Sequence, residues 1–271
     1  MNFGMHINRQ HFKVTAKERK IMNHFFVKPE NILTDSIIID GTDVNHIKNV
    51  LRMREGEQLL ISDGAGSDYT CSISSIMENE IHCSIETREA AGTEPSVKFY
   101  LFQGMPKVDK LEHIIQKSVE LGVHRIIPVE TARCVVKYDP KKRKSKLERW
   151  QKIAESAAKQ SRRGIIPQVE DIMTLKNALK YASGLDLVLI PYENYKDMKV
   201  TKEIISAIKP GMSVGIFVGP EGGFEQSEVE LACISPSEGG ADARQISLGS
   251  RILRTETAPL MLLSVLMFNM E

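Results

Sequence analysis

The rhythm of apolar and polar positions changes near residue 90. From residue 22 to about 90 the apolar residues come in short runs broken by turn chemistry. Residues 23–27, 36–39, 58–61, 69–76 and 80–86 read as strands. Asp63-Gly64-Ala65-Gly66 reads as a turn, since Asp and Gly tolerate positive φ. One helix interrupts the series, with Val44, Ile47, Val50 and Leu51 at helical spacing behind Asp43 as N-cap. Many short strands with a single helix predict a small β-barrel. Residues 90–96, small and polar with Gly92 and Pro95, read as a linker. Beyond them strands and helices alternate. Strands are expected at 97–102, 124–129, 185–190, 214–218 and 245–248. Helices are expected at 109–121, closed by Gly122, and at 145–161, 201–209, 227–233 and 255–268, the fourth with a capping box of Ser227 and Glu230. This alternation predicts an α/β domain with a mostly parallel sheet covered on both faces. The apolar runs Leu187–Ile190 and Ile216–Val218 fit strands buried on both sides. Residues 1–21, charged and aperiodic, are expected to be a mobile leader or upstream extension. The expected division is therefore 1–21, 22–92 and 93–271.

Composition narrows the classes. Of 271 residues, 42% are hydrophobic and 26% charged, which is globular usage. No apolar run approaches the roughly 18 residues of a spanning helix. The N-terminal residues lack the apolar core of a secretory signal. The four cysteines are scattered without a Cys-x-x-Cys, and the seven histidines form no metal-binding pair. Neither a disulfide framework nor a metal site is expected, and a reducing cytoplasm is the expected location. No Gly-x-Ser-x-Gly elbow occurs, which removes the commonest α/β hydrolase. The net charge of +1 conceals an asymmetry: residues 98–163 hold 17 Lys and Arg against 7 Asp and Glu, while both flanks are net acidic. Such a middle fits a polyanionic partner, with a solvated surface as the alternative.

Ligands of parallel sheets gather where strands end. Three such ends carry chemistry: residues 189–193, the glycine-rich 218–224, and 246–258. Gly219, Gly222 and Gly223 suit close approach of main chain to a ligand, or simply a turn that needs glycine for φ. The pattern is neither a dinucleotide nor a P-loop fingerprint. Arg251 and Arg254 precede an apolar helix, where cations oppose the macrodipole unless they face an anionic ligand or lie in solvent. Thr255 suits a helix cap.

At these residues the sequence resembles the bacterial 16S ribosomal RNA uracil-N3 methyltransferases (RsmE-type), of the SPOUT superfamily. The resemblance rests on His46-Ile47-x-x-Val50-Leu51-Arg52-Met53, Lys107-x-x-Lys110-x-Glu112, Gln116-Lys117-x-x-Glu120-Leu121-Gly122-Val123 with Thr131-x-Arg133, and Gln160-Ser161-Arg162-Arg163. It continues through Gly219-Pro220-Glu221-Gly222-Gly223-Phe224 and Leu248-Gly249-x-Arg251-Ile252-Leu253-Arg254-x-Glu256-Thr257-Ala258. These pieces occur in order over nearly the whole chain after Met22; the 21-residue leader departs from the pattern.

The resemblance implies a PUA-like barrel that helps bind RNA, followed by a knotted (trefoil) methyltransferase domain that works as a homodimer. It implies S-adenosylmethionine as methyl donor, held by Leu189, Pro191, Gly219, Glu221, Gly222, Leu248, Leu253, Arg254, Thr255, Glu256 and Ala258. The last helix, with Met261, Leu262 and Met267, would then serve core, knot packing or the dimer. The RNA partner, 16S rRNA or an assembled small subunit, would be drawn in by Arg52, Lys107, Arg133, Arg162 and Arg163 with the 141–146 cluster, mainly through phosphates. Uracil N3 is a weakly acidic imide on the Watson–Crick edge, so the base must be unpaired and must lose a proton. Glu221 as base and Arg254 as electrostatic partner are the candidate catalytic residues, with a purely structural ion pair as the alternative for Glu221. Two other functional readings stay open: a non-catalytic RNA-binding or ribosome-assembly protein, and a methyltransferase of another RNA.

Overall fold

The computed structural model describes residues 22–107, 109–234 and 241–270; the leader expected over 1–21 lies outside them. The chain divides into two compact units between Ala90 and Ala91.

The first unit is a five-stranded sheet of β1 (His24–Phe26), β2 (Ser36–Asp40), β3 (Gln58–Ser62), β4 (Ser67–Ile76) and β5 (Glu80–Ala90), in the order β1-β3-β4-β5-β2. β1 lies parallel to β3 and the other pairs are antiparallel. Alternate residues Ile37, Ile39, Leu59, Ile61, Cys71, Ile73, Ile81 and Cys83 fill one core. Burial pushes the Cys71 and Cys83 thiols up to about 12, so both serve as small apolar packing groups. The expected helix begins as α1 (Thr42–Asn45), with Gly41 rather than Asp43 at the N-cap, and widens into a π-helical turn over His46–Leu51. Its i→i+5 bonding breaks the expected stripe. Val44 and Ile47 are buried, but Val50 is 65% exposed.

The second unit is a parallel sheet of β6 (Lys98–Gly104), β7 (Arg125–Glu130), β8 (Gln168–Val169), β9 (Met173–Thr174), β10 (Leu187–Pro191), β11 (Ser213–Val218) and β12 (Ala243–Ile246). Its order is β12-β10-β11-β6-β7-β8, with β9 also on β7. The chain runs outward from β6 to one side and fills the other side with β10 to β12. β6 and β11 therefore lie side by side with connections that diverge, which opens a crevice at their carboxyl ends. The rings of Phe102 and Phe217 stack across this pair at 4.2 Å.

The helices are α2 (Lys110–Glu120), α3 (Pro140–Ser161), α4 (Leu175–Ala182), α5 (Met198–Ser206), α6 (Gln226–Ala232) and α7 (Thr257–Met270). α2 buries the expected Leu111, Ile114, Ile115 and Val119. α3 starts five residues earlier than the spacing of apolar positions suggests. Asp139 caps it by accepting from the Lys142 N–H at 2.9 Å, with Pro140 in the first turn. The 141–146 cluster is thus helical, and part of it is paired: Arg143 with Asp171, Lys146 and Arg149 with Glu112. α4 was not anticipated, although Thr174 caps it. α6 is capped by Glu225 and Glu228, not by Ser227 and Glu230, two residues further along with the same spacing.

The division between the units falls in the segment expected as a linker, which is nonetheless tied to the second unit, and one expected RNA contact fails. The 90–96 segment is anchored, because Glu94 receives the Arg163 guanidinium at 2.6 Å and the Gly164 N–H at 3.0 Å. Arg163, expected to meet RNA, is only 3% exposed. It points inward, where it also donates to the carbonyls of Val119 and Val123. A guanidinium with a carboxylate and two carbonyls as partners has no reach to a phosphate. Arg163→Ala should therefore leave the Val119 and Val123 carbonyls without this donor and Glu94 without its cation, and cost about 1–3 kcal/mol of stability in urea denaturation. Arg162→Ala, at the exposed neighbouring position, should stay within about 0.5 kcal/mol.

Candidate functional site

The carboxyl ends of β10 and β11 and the segment after β12 enclose a cavity of about 380 Å³, a size suited to a small organic ligand. Its walls are Pro191, Tyr192, Glu193, Tyr195 and Lys196 after β10; Val218 to Glu221, Gly223 and Phe224 after β11; and Ser247 to Gly249, Arg251 to Thr255 and Ala258. Lys110 from α2 completes it.

One hydroxyl joins two of these walls. Thr255 Oγ1 donates to the Gly219 carbonyl at 2.7 Å and accepts from Gln103 Nε2 at 3.0 Å. The same Gln103 amide donates to the Gly104 carbonyl at 3.0 Å. Thr255 is therefore a cross-brace rather than the cap of α7, which begins two residues later. Behind the third wall, Thr201 Oγ1 accepts the Ser247 N–H at 2.9 Å.

The glycines of the β11 loop divide their work. A Cβ on Gly219 would stand 2.9 Å from the backbone of Gly223, so the loop closes on itself only with glycine. Gly223 has φ +68. Gly222 faces away from the cavity: a Cβ there would meet the Arg133 stem at 3.2 Å. Arg133 donates to the Gly222 carbonyl at 2.6 Å, and the Ala132 N–H donates to Glu228 at 2.8 Å. Arg133, expected at the RNA, thus holds the loop from outside.

On the opposite side the loop is held by charge. Both Glu221 oxygens accept the Lys107 N–H, at 3.1 and 3.2 Å. The Lys110 ammonium lies 3.1 Å from Glu221 and 3.1 Å from Glu256. Burial raises the Glu221 carboxyl, but hydrogen bonds from its own N–H, from Lys110 and from Lys107 outweigh it and leave the group below its ordinary value. Glu256 is lowered in the same way by its own N–H and by Lys110, with Arg254 adding its charge. Bonds to the two carboxylates raise the Lys110 ammonium.

Of the residues expected at the ligand, Pro191, Gly219, Glu221, Leu248, Leu253, Arg254, Thr255 and Ala258 line the cavity. Leu189 lies wholly within the sheet, Gly222 faces Arg133, and Glu256 serves Lys110 from outside the lining. Arg52 is exposed in the first unit; Lys107 and Arg162 are exposed in the second. Tyr195, Lys196, Ser247, Gly249 and Lys110 were not anticipated as lining. Ser247 and Gly249 fall inside the 246–258 segment already singled out, and Tyr195 and Lys196 lie just beyond 189–193, so a longer reading of that first end would have included them. Lys110 reaches the cavity only through the fold.

The second unit matches the model of the RNA methyltransferase domain over residues 93–267, and residues 39–86 match that of the RNA methyltransferase PUA domain. The chain belongs to the RNA methyltransferase family. Among curated members of this family, the ribosomal RNA small subunit methyltransferase E of Bacillus subtilis is 39% identical over 236 residues, covering 86% of this chain and 90% of that protein. Two similar solved structures hold bound S-adenosylmethionine. The ribosomal RNA small subunit methyltransferase E of Neisseria gonorrhoeae is 30% identical with a TM-score of 0.73, covering 91% of this chain and 97% of its own. A methyltransferase of Legionella pneumophila is 29% identical with a TM-score of 0.73, covering 90% and 96%. The architecture of this RNA methyltransferase is thus a PUA-like sheet unit followed by a parallel α/β unit of SPOUT type.

The brace makes a sharp prediction. Thr255→Val leaves the Gln103 amide and the Gly219 carbonyl short of a partner and should cost about 1–3 kcal/mol in thermal unfolding, whereas Thr255→Ser, which keeps the hydroxyl, should stay close to the parent.

Proposed function

We propose that this chain is an S-adenosylmethionine-dependent methyltransferase that modifies N3 of a uridine in the 16S ribosomal RNA of the small subunit. The observation that carries the reading is the cavity at the three strand ends, in a chain whose relatives include donor-bound methyltransferases. The residues present suit the donor. The cleft at Gly219 leaves room for a flat ring and ribose, Glu193 offers a carboxylate to positive charge, and Lys196, Arg251 and Arg254 offer cations to a carboxylate. S-adenosylmethionine supplies an electrophilic methyl group on a sulfonium.

The chain's own part is to position and to stabilise charge. Arg254 is assigned to the imide anion that uracil becomes as its N3 proton passes to solvent water. Glu221, also expected to act as a base, has its oxygens engaged and its carboxyl held below the ordinary value, so it accepts a proton poorly; we assign it to shaping the cavity. Arg52 and Lys107, with Arg162, are assigned to RNA phosphates, and Arg133 to the β11 loop. The trefoil knot and the homodimer implied by the resemblance belong to the same reading. Phe268, 86% exposed on the otherwise apolar α7, supports a face that a second copy covers. The cytoplasm, where small subunits are assembled, is the proposed location; no helix among the described residues is long and apolar enough to cross a membrane.

Two measurements test this. Calorimetry with S-adenosylmethionine should show saturable binding; its absence would leave a non-catalytic RNA-binding module. Nucleoside mass spectrometry of small-subunit RNA from a deletion strain should show loss of 3-methyluridine, and its persistence would redirect the activity to another RNA. For the phosphate contacts, Arg52→Ala and Arg162→Ala should each lower the salt dependence of RNA binding by about 0.7–0.9 in log–log slope.

A further inference from the structure

We propose that Lys110 is a positioning residue of the donor site: its ammonium, ion-paired at once with Glu221 and Glu256, holds two walls of the cavity at a set separation so that the pocket stands preformed. The inference rests on the donor reading above.

Each carboxylate belongs to a different wall. Glu221 lies in the loop after β11 and Glu256 in the segment that leads into α7, and one nitrogen stands 3.1 Å from both. Lys110 is the first residue of α2, so its place is set by a helix whose Leu111, Ile114 and Ile115 are buried in the core. Glu221 is also tied to that helix entry through the Lys107 N–H. An anion there is favoured by the helix dipole. The charged groups facing the ammonium are Glu221 from the β11 loop and Glu256 from the last segment, with Arg254 beside Glu256. Without the ammonium, two carboxylates would face each other across the junction and repel, and one would take up a proton at higher pH.

The sign of the pH dependence follows. Glu221 and Glu256 lie below their ordinary 4.5, so their contribution is present above that value and is lost as pH falls through the lowered one. Lys110 lies above its ordinary 10.5, so its contribution holds below that value and is lost as pH rises through the raised one. Across the neutral range the brace is fully charged.

The test titrates the full-length protein, Lys110→Met, Lys110→Arg and Glu256→Gln with S-adenosylmethionine by calorimetry at acid and neutral pH. The parent is measured first: failure of the parent to bind would end the donor reading rather than this one. With the parent binding, Lys110→Met should weaken donor affinity about tenfold, equivalent to about 1.4 kcal/mol, while turnover at saturating donor changes far less, as expected for a lost uniform-binding contact. Lys110→Arg should restore most of the affinity. Donor affinity of Lys110→Met should change between mildly acid and neutral pH, where the parent stays level, because the unneutralised pair of carboxylates takes up a proton at higher pH. Lys110→Met with parental affinity and a level pH profile would overturn the proposal. If Lys110→Met fails to fold by circular dichroism, Glu256→Gln decides: weaker donor binding supports the brace, and unchanged binding overturns it.

Discussion

The second unit depends on keeping three chain segments, distant in sequence, at one end of a parallel sheet. Strand pairing alone does not accomplish this, because it stops where the strands stop and leaves the following backbone to find partners. The Thr255 hydroxyl supplies the missing link. By donating to Gly219 and accepting from Gln103 it ties the segment before α7 to the ends of both β11 and β6. Gln103 is fully buried, so this polar junction sits in a low-dielectric setting where satisfied bonds are strong and a broken one is expensive.

Around that junction the β11 loop is gripped from two directions by different means. Outside, the Arg133 stem covers Gly222 while its guanidinium takes the carbonyl. Toward α2, Glu221 takes a main-chain N–H and shares an ammonium with Glu256. A loop of small residues that would be mobile in isolation is thereby given one conformation. Preorganisation of this kind reduces the ordering cost that a ligand must otherwise meet when it binds.

Much of this was legible in the residues. The change of rhythm near residue 90 separates the two units because alternation and helical spacing reflect which side of each element is buried. The strand ends locate the cavity because their glycines, prolines and charges cannot belong to a sheet interior. What stayed hidden depended on side-chain direction. Gly222 and Gly219 look equivalent in sequence, yet only their backbone geometry shows that one faces Arg133 and the other the turn. Arg162 and Arg163 are adjacent and chemically identical, but the helix ends at Ser161, just before them. Arg162 adopts φ +57 and stays exposed, and its neighbour turns into the core. The π-helical turn after Asn45 likewise shifts Val50 off the buried face that its spacing suggests.

The Glu94–Arg163 pair bears on where the second unit can be cut. Strand periodicity alone would recommend a fragment beginning at Val97, just ahead of β6. Such a fragment would lack the carboxylate that neutralises Arg163 and accepts the Gly164 N–H, and would expose a charge that the fold has enclosed. The short polar stretch before the sheet therefore belongs to the fold of the second unit, and an excised second unit must carry it to keep the Arg163 guanidinium paired.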